Sequence, residues 1–207
     1  MNKTVVLCLC SFAMVLPPQT VKAQILDGGF ETVATGTYSV GSLGDGWSVT
    51  QGTISIISSG AYSAVPHSGN QFADLNYAYT LNTIAQTVAT VPNQQYRLSY
   101  WIADTSADPL TVTFDSNVLF SGPAPSAGVT SPSDYVNYVF TVIPTSSSAI
   151  LSFTGQYTDG GGNLGTILDD VSLIPVPEPA SLSLLAVGLF ALTLLRRCQA
   201  ESSRRAS

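Results

Sequence analysis

The stretch Tyr96-Arg97-Leu98-Ser99-Tyr100-Trp101-Ile102-Ala103 decides how the chain folds. With a period of two, Tyr96, Leu98, Tyr100 and Ile102 share one face of an extended segment, and Arg97, Ser99 and Trp101 share the other. The first face is apolar throughout, so it predicts a strand with that side against a core. The same kind of signal recurs at residues 53–57, 83–88, 95–103, 110–114, 135–142, 149–153 and 166–174. Turn clusters separate these runs, among them Ser58-Ser59-Gly60, Val91-Pro92-Asn93, Ala107-Asp108-Pro109 and Ser121-Gly122-Pro123. No segment between residues 24 and 176 sustains a 3.6-residue period, and no repeat of about 20 to 50 residues is visible. Residues 24–176 therefore read as one all-β domain of the sandwich or jelly-roll class.

Both ends of the chain read as targeting segments. Residues 1–23 carry Lys3, an apolar run over 5–16, Pro17-Pro18 and then Val21-Lys22-Ala23, the three-part layout of a secretory signal peptide. At the other end, Pro177-Glu178-Pro179 precedes an uncharged run over 180–195, Arg196-Arg197 and a polar tail to residue 207. As a helix the run reaches roughly 24 Å, marginal for a hydrocarbon core of about 30 Å. Four arginines follow it, and between it and the signal peptide stands Arg97 alone, so the positive-inside rule puts the C-terminus in the cytoplasm and the body outside. The competing reading is a terminal amphipathic helix packed on the domain, but its polar face would consist of Ser181, Ser183 and Thr193 only.

Of the 207 residues 45% are hydrophobic and 10% charged, which supports a folded core rather than disorder. Residues 24–176 hold eleven carboxylates against Arg97, a formal charge of −10. That balance excludes nucleic acid, whose binding needs basic groups to displace counterions. It leaves bound divalent cations or plain solubility as its uses. Cys8, Cys10 and Cys198 all lie outside 24–176, so the exported body needs no disulfide and offers no thiol nucleophile or thiolate metal site.

Catalytic constellations are not legible. A glycosidase needs two carboxylates roughly 5 to 9.5 Å apart, and no spacing selects a pair. His67, the chain's one histidine, has no Gly-x-Ser-x-Gly elbow beside it and cannot build a zinc site alone. The 159–163 segment lacks the alternating carboxylates of a calcium loop and reads as a turn. Arg97 and Trp101 on one strand face are candidate ligand contacts, because a guanidinium beside an indole suits a sugar ring. Equally, Trp101 is open to cover by a loop while Arg97 pairs with Asp74 or Asp115.

Two resemblances add to this reading. Pro177-Glu178-Pro179, the short apolar helix 180–195 and the basic pair Arg196 and Arg197 look like the PEP-CTERM sorting tail, here 177–207, with residues 198–207 an unusual extension. That resemblance implies processing by an exosortase in a Gram-negative bacterium, transient residence in the inner membrane through 180–195, and release to the cell surface or extracellular matrix. Asp27-Gly28-Gly29-Phe30-Glu31, Gly46-Trp47, the run His67-Ser68-Gly69-Asn70-Gln71-Phe72-Ala73-Asp74-Leu75-Asn76, Tyr96 to Trp101, and Ile167-Leu168-Asp169-Asp170-Val171-Ser172-Leu173 together resemble the galactose-binding-like jelly roll of carbohydrate-binding modules. The resemblance implies one structural Ca²⁺ held by Glu31 and the Asp169-Asp170 pair. With Val171 and Leu173 as core residues, Asp169 is expected to point inward, and only one of the two adjacent aspartates is expected to serve a given site. The expected function is an exported, non-catalytic surface or matrix protein that binds or is embedded in extracellular polysaccharide; the alternative is a structural or adhesive surface protein without a glycan site.

Overall fold

In the computed structural model, which describes residues 25–76, 80–158, 164–177, 188–193 and 196–197, the alternation at 96–103 is realised. Tyr96, Leu98, Tyr100 and Ile102 are fully buried, Arg97 is exposed, and Ser99 and Trp101 are half-buried. Ten strands form among the described residues: β1 (Gly36–Gly44), β2 (Trp47–Ser58), β3 (Gln71–Asp74), β4 (Leu81–Ala89), β5 (Tyr96–Ala103), β6 (Pro109–Phe114), β7 (Asn117–Pro123), β8 (Val136–Val142), β9 (Ser148–Gln156) and β10 (Ile167–Pro175). All seven expected runs fall on strands. Three strands went unread, each for a local reason: β1 is glycine-rich and largely exposed, β3 is four residues long, and β7 is exposed along most of its length.

The hydrogen-bonded order is β7-β6-β9-β4-β2-β3-β10-β5-β8, with β1 on the free side of β2. All of these pairings are antiparallel. Strand β2 belongs to two leaves: Trp47–Gln51 pair with β4, whereas Ser55–Ser58 pair with β3. Between these halves sits Gly52 at φ +67°, where a Cβ would lie 2.2 Å from Asn82 Oδ1 and 2.5 Å from the Leu81 carbonyl. Only glycine lets the strand pass there from one leaf to the other.

The leaves close on each other through aromatic side chains. Phe153 of β9 meets Tyr100 of β5 edge-on at 5.0 Å between ring centroids, and Trp47 of β2 at 6.3 Å. At the far edges, Phe120 of β7 reaches Tyr138 of β8 at 5.0 Å. The chain is thus an all-β, jelly-roll-like sandwich with its main core between the leaves. A second apolar cluster lies on the outer face of the β2-β3-β10-β5 leaf. There Ile57, Phe72, Ala103 and Ile167 are covered by Ala64, Val129, Tyr135 and Leu164 from the connecting loops. Val65 N–H donates to the Val129 carbonyl and Tyr135 Oη to the Val65 carbonyl, which ties these loops together.

Residues 188–193 and 196–197 are helical, with Leu189, Phe190 and Leu192 exposed. Among the described residues no helix is long and apolar enough to cross a membrane. The signal peptide at 1–23, Glu178, Pro179 and the start of the 180–195 run lie outside the described residues, as does the 159–163 turn.

Tyr100 Oη is buried without a hydrogen-bond partner. Since an unsatisfied buried hydroxyl costs about 1 to 3 kcal/mol, Tyr100→Phe is expected to raise the urea midpoint. Phe153→Ala, which opens a cavity at the same contact, is expected to cost about 3 to 5 kcal/mol in the same measurement.

Candidate functional site

The expected metal ligands meet at the start of β10. Pairing with β5 runs Asp169↔Trp101 and then Ser172↔Ser99, so one extra residue is accommodated between them, and Asp170 takes φ 48°. This bulge reverses the parity of the strand. Val171 and Leu173 enter the core as expected, but Asp169 points to the outer, loop-covered face beside Trp101, not inward. It is nonetheless fully buried. Its Oδ2 accepts the Ser68 N–H at 3.1 Å and its Oδ1 the Asp170 N–H at 2.7 Å. Burial, then the neighbouring Asp170 charge, push the Asp169 carboxyl up to about 7.

Asp170 is left-handed, and both aspartates accept from the same loop. Asp170 Oδ2 lies 2.6 Å from His67 Nδ1, and its Oδ1 accepts the Ser68 hydroxyl at 2.8 Å. Glu31 Oε1 takes the Asn70 and Gln71 N–H groups at 2.8 and 2.9 Å. Gly69, at φ +63°, has no room for a Cβ, which would fall 2.2 Å from Glu31 Oε1. Glu31, Asp169 and Asp170 are thus drawn around Gly29, and they clasp residues 67–71. They are the hard oxygen donors that Ca²⁺ takes, yet these carboxylates already face N–H and O–H donors. Among the described residues no group of three or more acidic, histidine or cysteine side chains is arranged to hold a metal ion.

The clasp also settles where Trp101 faces. The His67 ring stacks on it at 3.8 Å and 16°, so a loop covers the indole. Arg97 shares its strand face but lies about 13 Å along β5, and among the described residues no ion pair involves it. The structure therefore does not bring Arg97 and Trp101 into one open contact.

An open groove lies elsewhere, on the outer face of the second leaf. Register places Thr37, Ser55 and Asp74 side by side across β1, β2 and β3, with Thr37 Oγ1 3.2 Å from Ser55 Oγ. With Thr35, Ile57 and Tyr62 these residues line a cleft of about 280 Å³. Tyr62 stands on the 3-10 turn Ala61–Ser63 at φ 51° and is 63% exposed. Asp74, 3% exposed, forms part of the lining. Burial, with smaller repulsion from Asp104 and Asp108, pushes its carboxyl up to about 6.

Behind Asp74 is a buried polar network. Thr166 Oγ1 donates to Asp104 Oδ2 at 2.7 Å, and Asn76 Nδ2 donates to Asp108 Oδ2 at 2.8 Å. Thr158 gives Asp108 Oδ1 both its N–H and its hydroxyl at 2.8 Å. Asp104 and Asp108 are fully buried, and burial also raises the Asp104 carboxyl. Sequence reasoning missed the groove. Asp74 stood there only as an alternative ion-pair partner of Arg97, a pairing not seen among the described residues, Asn76 stood in a quoted motif without a role, and the only mark on Tyr62 was an aromatic residue next to a turn cluster.

Residues 175–197 carry the PEP-CTERM protein-sorting motif. The PEP-CTERM motif implies export, processing by an exosortase and a cell-surface or extracellular location. No curated protein matches the chain in sequence. Among solved structures the chain is similar to TmCBM61, determined in complex with beta-1,4-galactotriose, at 14% identity over 74% of this chain and 99% of that one, with a TM-score of 0.48. It is also similar to the CBM22-1 xylan-binding domain of Paenibacillus barcinonensis Xyn10C, at 12% identity over 78% and 99% with a TM-score of 0.44. A family 35 carbohydrate-binding module from Clostridium thermocellum matches at 14% identity over 57% and 86%, with a TM-score of 0.41.

Folding raises both Asp74 and Asp169 above the ordinary carboxylate range, so the folded chain holds these protons more tightly than the unfolded one. The stability linked to them is fully present below about pH 4 and is lost as pH rises through about 6 and 7. Asp74→Asn should therefore gain thermal midpoint relative to the parent as pH rises from 4 to 8, as read by melts across that range.

Proposed function

We propose that this chain is an exported, non-catalytic surface protein of a Gram-negative bacterium that holds extracellular polysaccharide in the Thr37-Ser55-Asp74 groove, after passing transiently through the inner membrane on its 180–195 segment. The observation that carries the reading is Tyr62, an exposed ring standing at a row of two hydroxyls and a carboxylate. A sugar has the matching chemistry, with an apolar C–H face for the ring and hydroxyls that donate to oxygen acceptors. Asp74 is the one carboxylate among the groove's lining residues, whereas glycoside hydrolysis needs two.

Sedimentation of the exported protein with a panel of polysaccharides, the producing cell's own included, tests this. Tyr62→Ala is expected to weaken retention about tenfold, roughly 1.4 kcal/mol. Trp101→Ala and Arg97→Ala are the comparison, and a loss confined to them would move the site to the β5 face. No retention on any polymer would favour an adhesive surface protein, a reading supported by the exposed Val118, Val136 and Val139 on the edge strands β7 and β8.

A structural Ca²⁺ at Glu31, Asp169 and Asp170 is proposed alongside. Its support is charge, since three carboxylates gather around Gly29 and only Asp170 among them pairs with the His67 imidazole. A thermal midpoint that falls in EDTA, recovers with Ca²⁺ and loses both responses in Asp169→Ala is the expected result; an unchanged midpoint would remove the ion.

A further inference from the structure

Asp74, Asp104 and Asp108 repel one another and are almost wholly buried, although buried charge is normally paired. Among the described residues no basic side chain pairs with them. Arg97 is the only Lys or Arg in residues 24–176, and it lies about 20 Å along β5 from Ala103, the residue that continues the Asp74–Ile167 row. The strand neighbours flanking Asp74 in register are Ser55 and Ile167, neither of which titrates. Asp74 Oδ1 accepts the Asn76 N–H at 3.0 Å, but Asn76 Oδ1 is buried in the same network with no partner. Gly155 and Gly165 leave the Asn76 side chain its space, since a Cβ on either would fall 2.3 Å from its amide atoms. Of the three carboxylates, Asp74 alone lines the groove.

Resting on the glycan reading above, we propose that the groove takes a sugar unit bearing a free amino group, whose ammonium meets Asp74 and supplies the positive charge this carboxylate cluster lacks. Asp74 is then the specificity-determining residue, with Asp104 and Asp108 adding to the field it presents. A cleft lined by one sign of charge concentrates ligands of the other sign. The same field turns away uronate-bearing or sulfated units, which would add a fourth anion. Tyr62 stacks on the ring whether or not the amine is acetylated.

The test compares glucosamine oligomers with N-acetylglucosamine oligomers of equal length, titrated into the full exported protein by calorimetry, beside the neutral polymers of the panel. The amino oligomer is expected to bind at least tenfold more tightly. Asp74→Asn should erase that preference, and Tyr62→Ala should weaken both ligands. On the wild-type protein the preference should peak near neutral pH, fading toward pH 5 as Asp74 gains its proton in front of Asp104 and Asp108 and toward pH 8 as the sugar amine loses its own. General attraction of a cation to an acidic surface keeps growing toward pH 5, because the amine is more fully charged there. This pH arm does not depend on the Asp74 variant folding.

Tight binding of the amino oligomer that ignores Asp74→Asn and grows at pH 5 would overturn the proposal as surface attraction. Equal binding of the acetylated or neutral ligands, still dependent on Tyr62, would overturn the amino preference and leave the groove as a glycan site. No binding of any glycan would overturn both readings.

Discussion

The outer face of the molecule depends on the left-handed turn of the backbone at Asp170. One residue more than the pairing with β5 requires enters β10 there. Downstream of it Val171 and Leu173 face the core; upstream, Asp169 faces outward beneath the 67–71 loop. Gly28 completes the arrangement, because its carbonyl accepts the Val171 N–H at 2.9 Å and a Cβ would strike the Val171 carbonyl at 1.9 Å. The opening segment, the 67–71 loop and the last strand are thereby joined at one point. His67 comes to rest on Trp101 as a consequence, and the second apolar cluster stays covered.

With Arg97 as its sole basic residue, the body satisfies its carboxylates by other means. Backbone N–H groups do most of this, at Asp169 from Ser68 and Asp170, at Glu31 from Asn70 and Gln71, and at Asp108 from Thr158. Such bonds hold loops in fixed conformations without the side-chain entropy that ordering a lysine or arginine would cost. They leave net negative charge behind, and at Asp74 that charge reaches the floor of an open cleft. Burial raises the Asp74 carboxyl, and the unpaired charge beside it shapes what the groove attracts.

An exported body without cysteine must rest on its core, and the aromatic contacts between leaves supply it. Trp47, Tyr96, Tyr100, Phe30 and Phe153 are all fully buried there. Strand β2, passing between leaves at Gly52, makes the two sheets one hydrogen-bonded unit along that side. The groove sits where β2 and β3 run together, so its floor is carried by rigid strands and only Tyr62 stands on a turn.

The sequence by itself determined the all-β class, the seven strands with clear alternation, the core face of β5 and the sorting motif, because each is written in contiguous residues. The resemblance to carbohydrate-binding modules, and no pattern of the residues themselves, named Glu31, Asp169 and Asp170 as a set, which the fold brings together around Gly29. Tertiary structure decided on which side Asp169 lies, since a single inserted residue reverses every side chain beyond it and leaves no mark in composition. Whether Trp101 is open or covered likewise depended on His67, 34 positions away in the chain. The groove was not legible because β1 and β3 carry almost no periodic signal, and the row Thr37-Ser55-Asp74 exists only through their register with β2. Asp74, Asp104 and Asp108 became one cluster for the same reason: proximity between distant residues is a property of pairing, and alternation along one strand does not encode it.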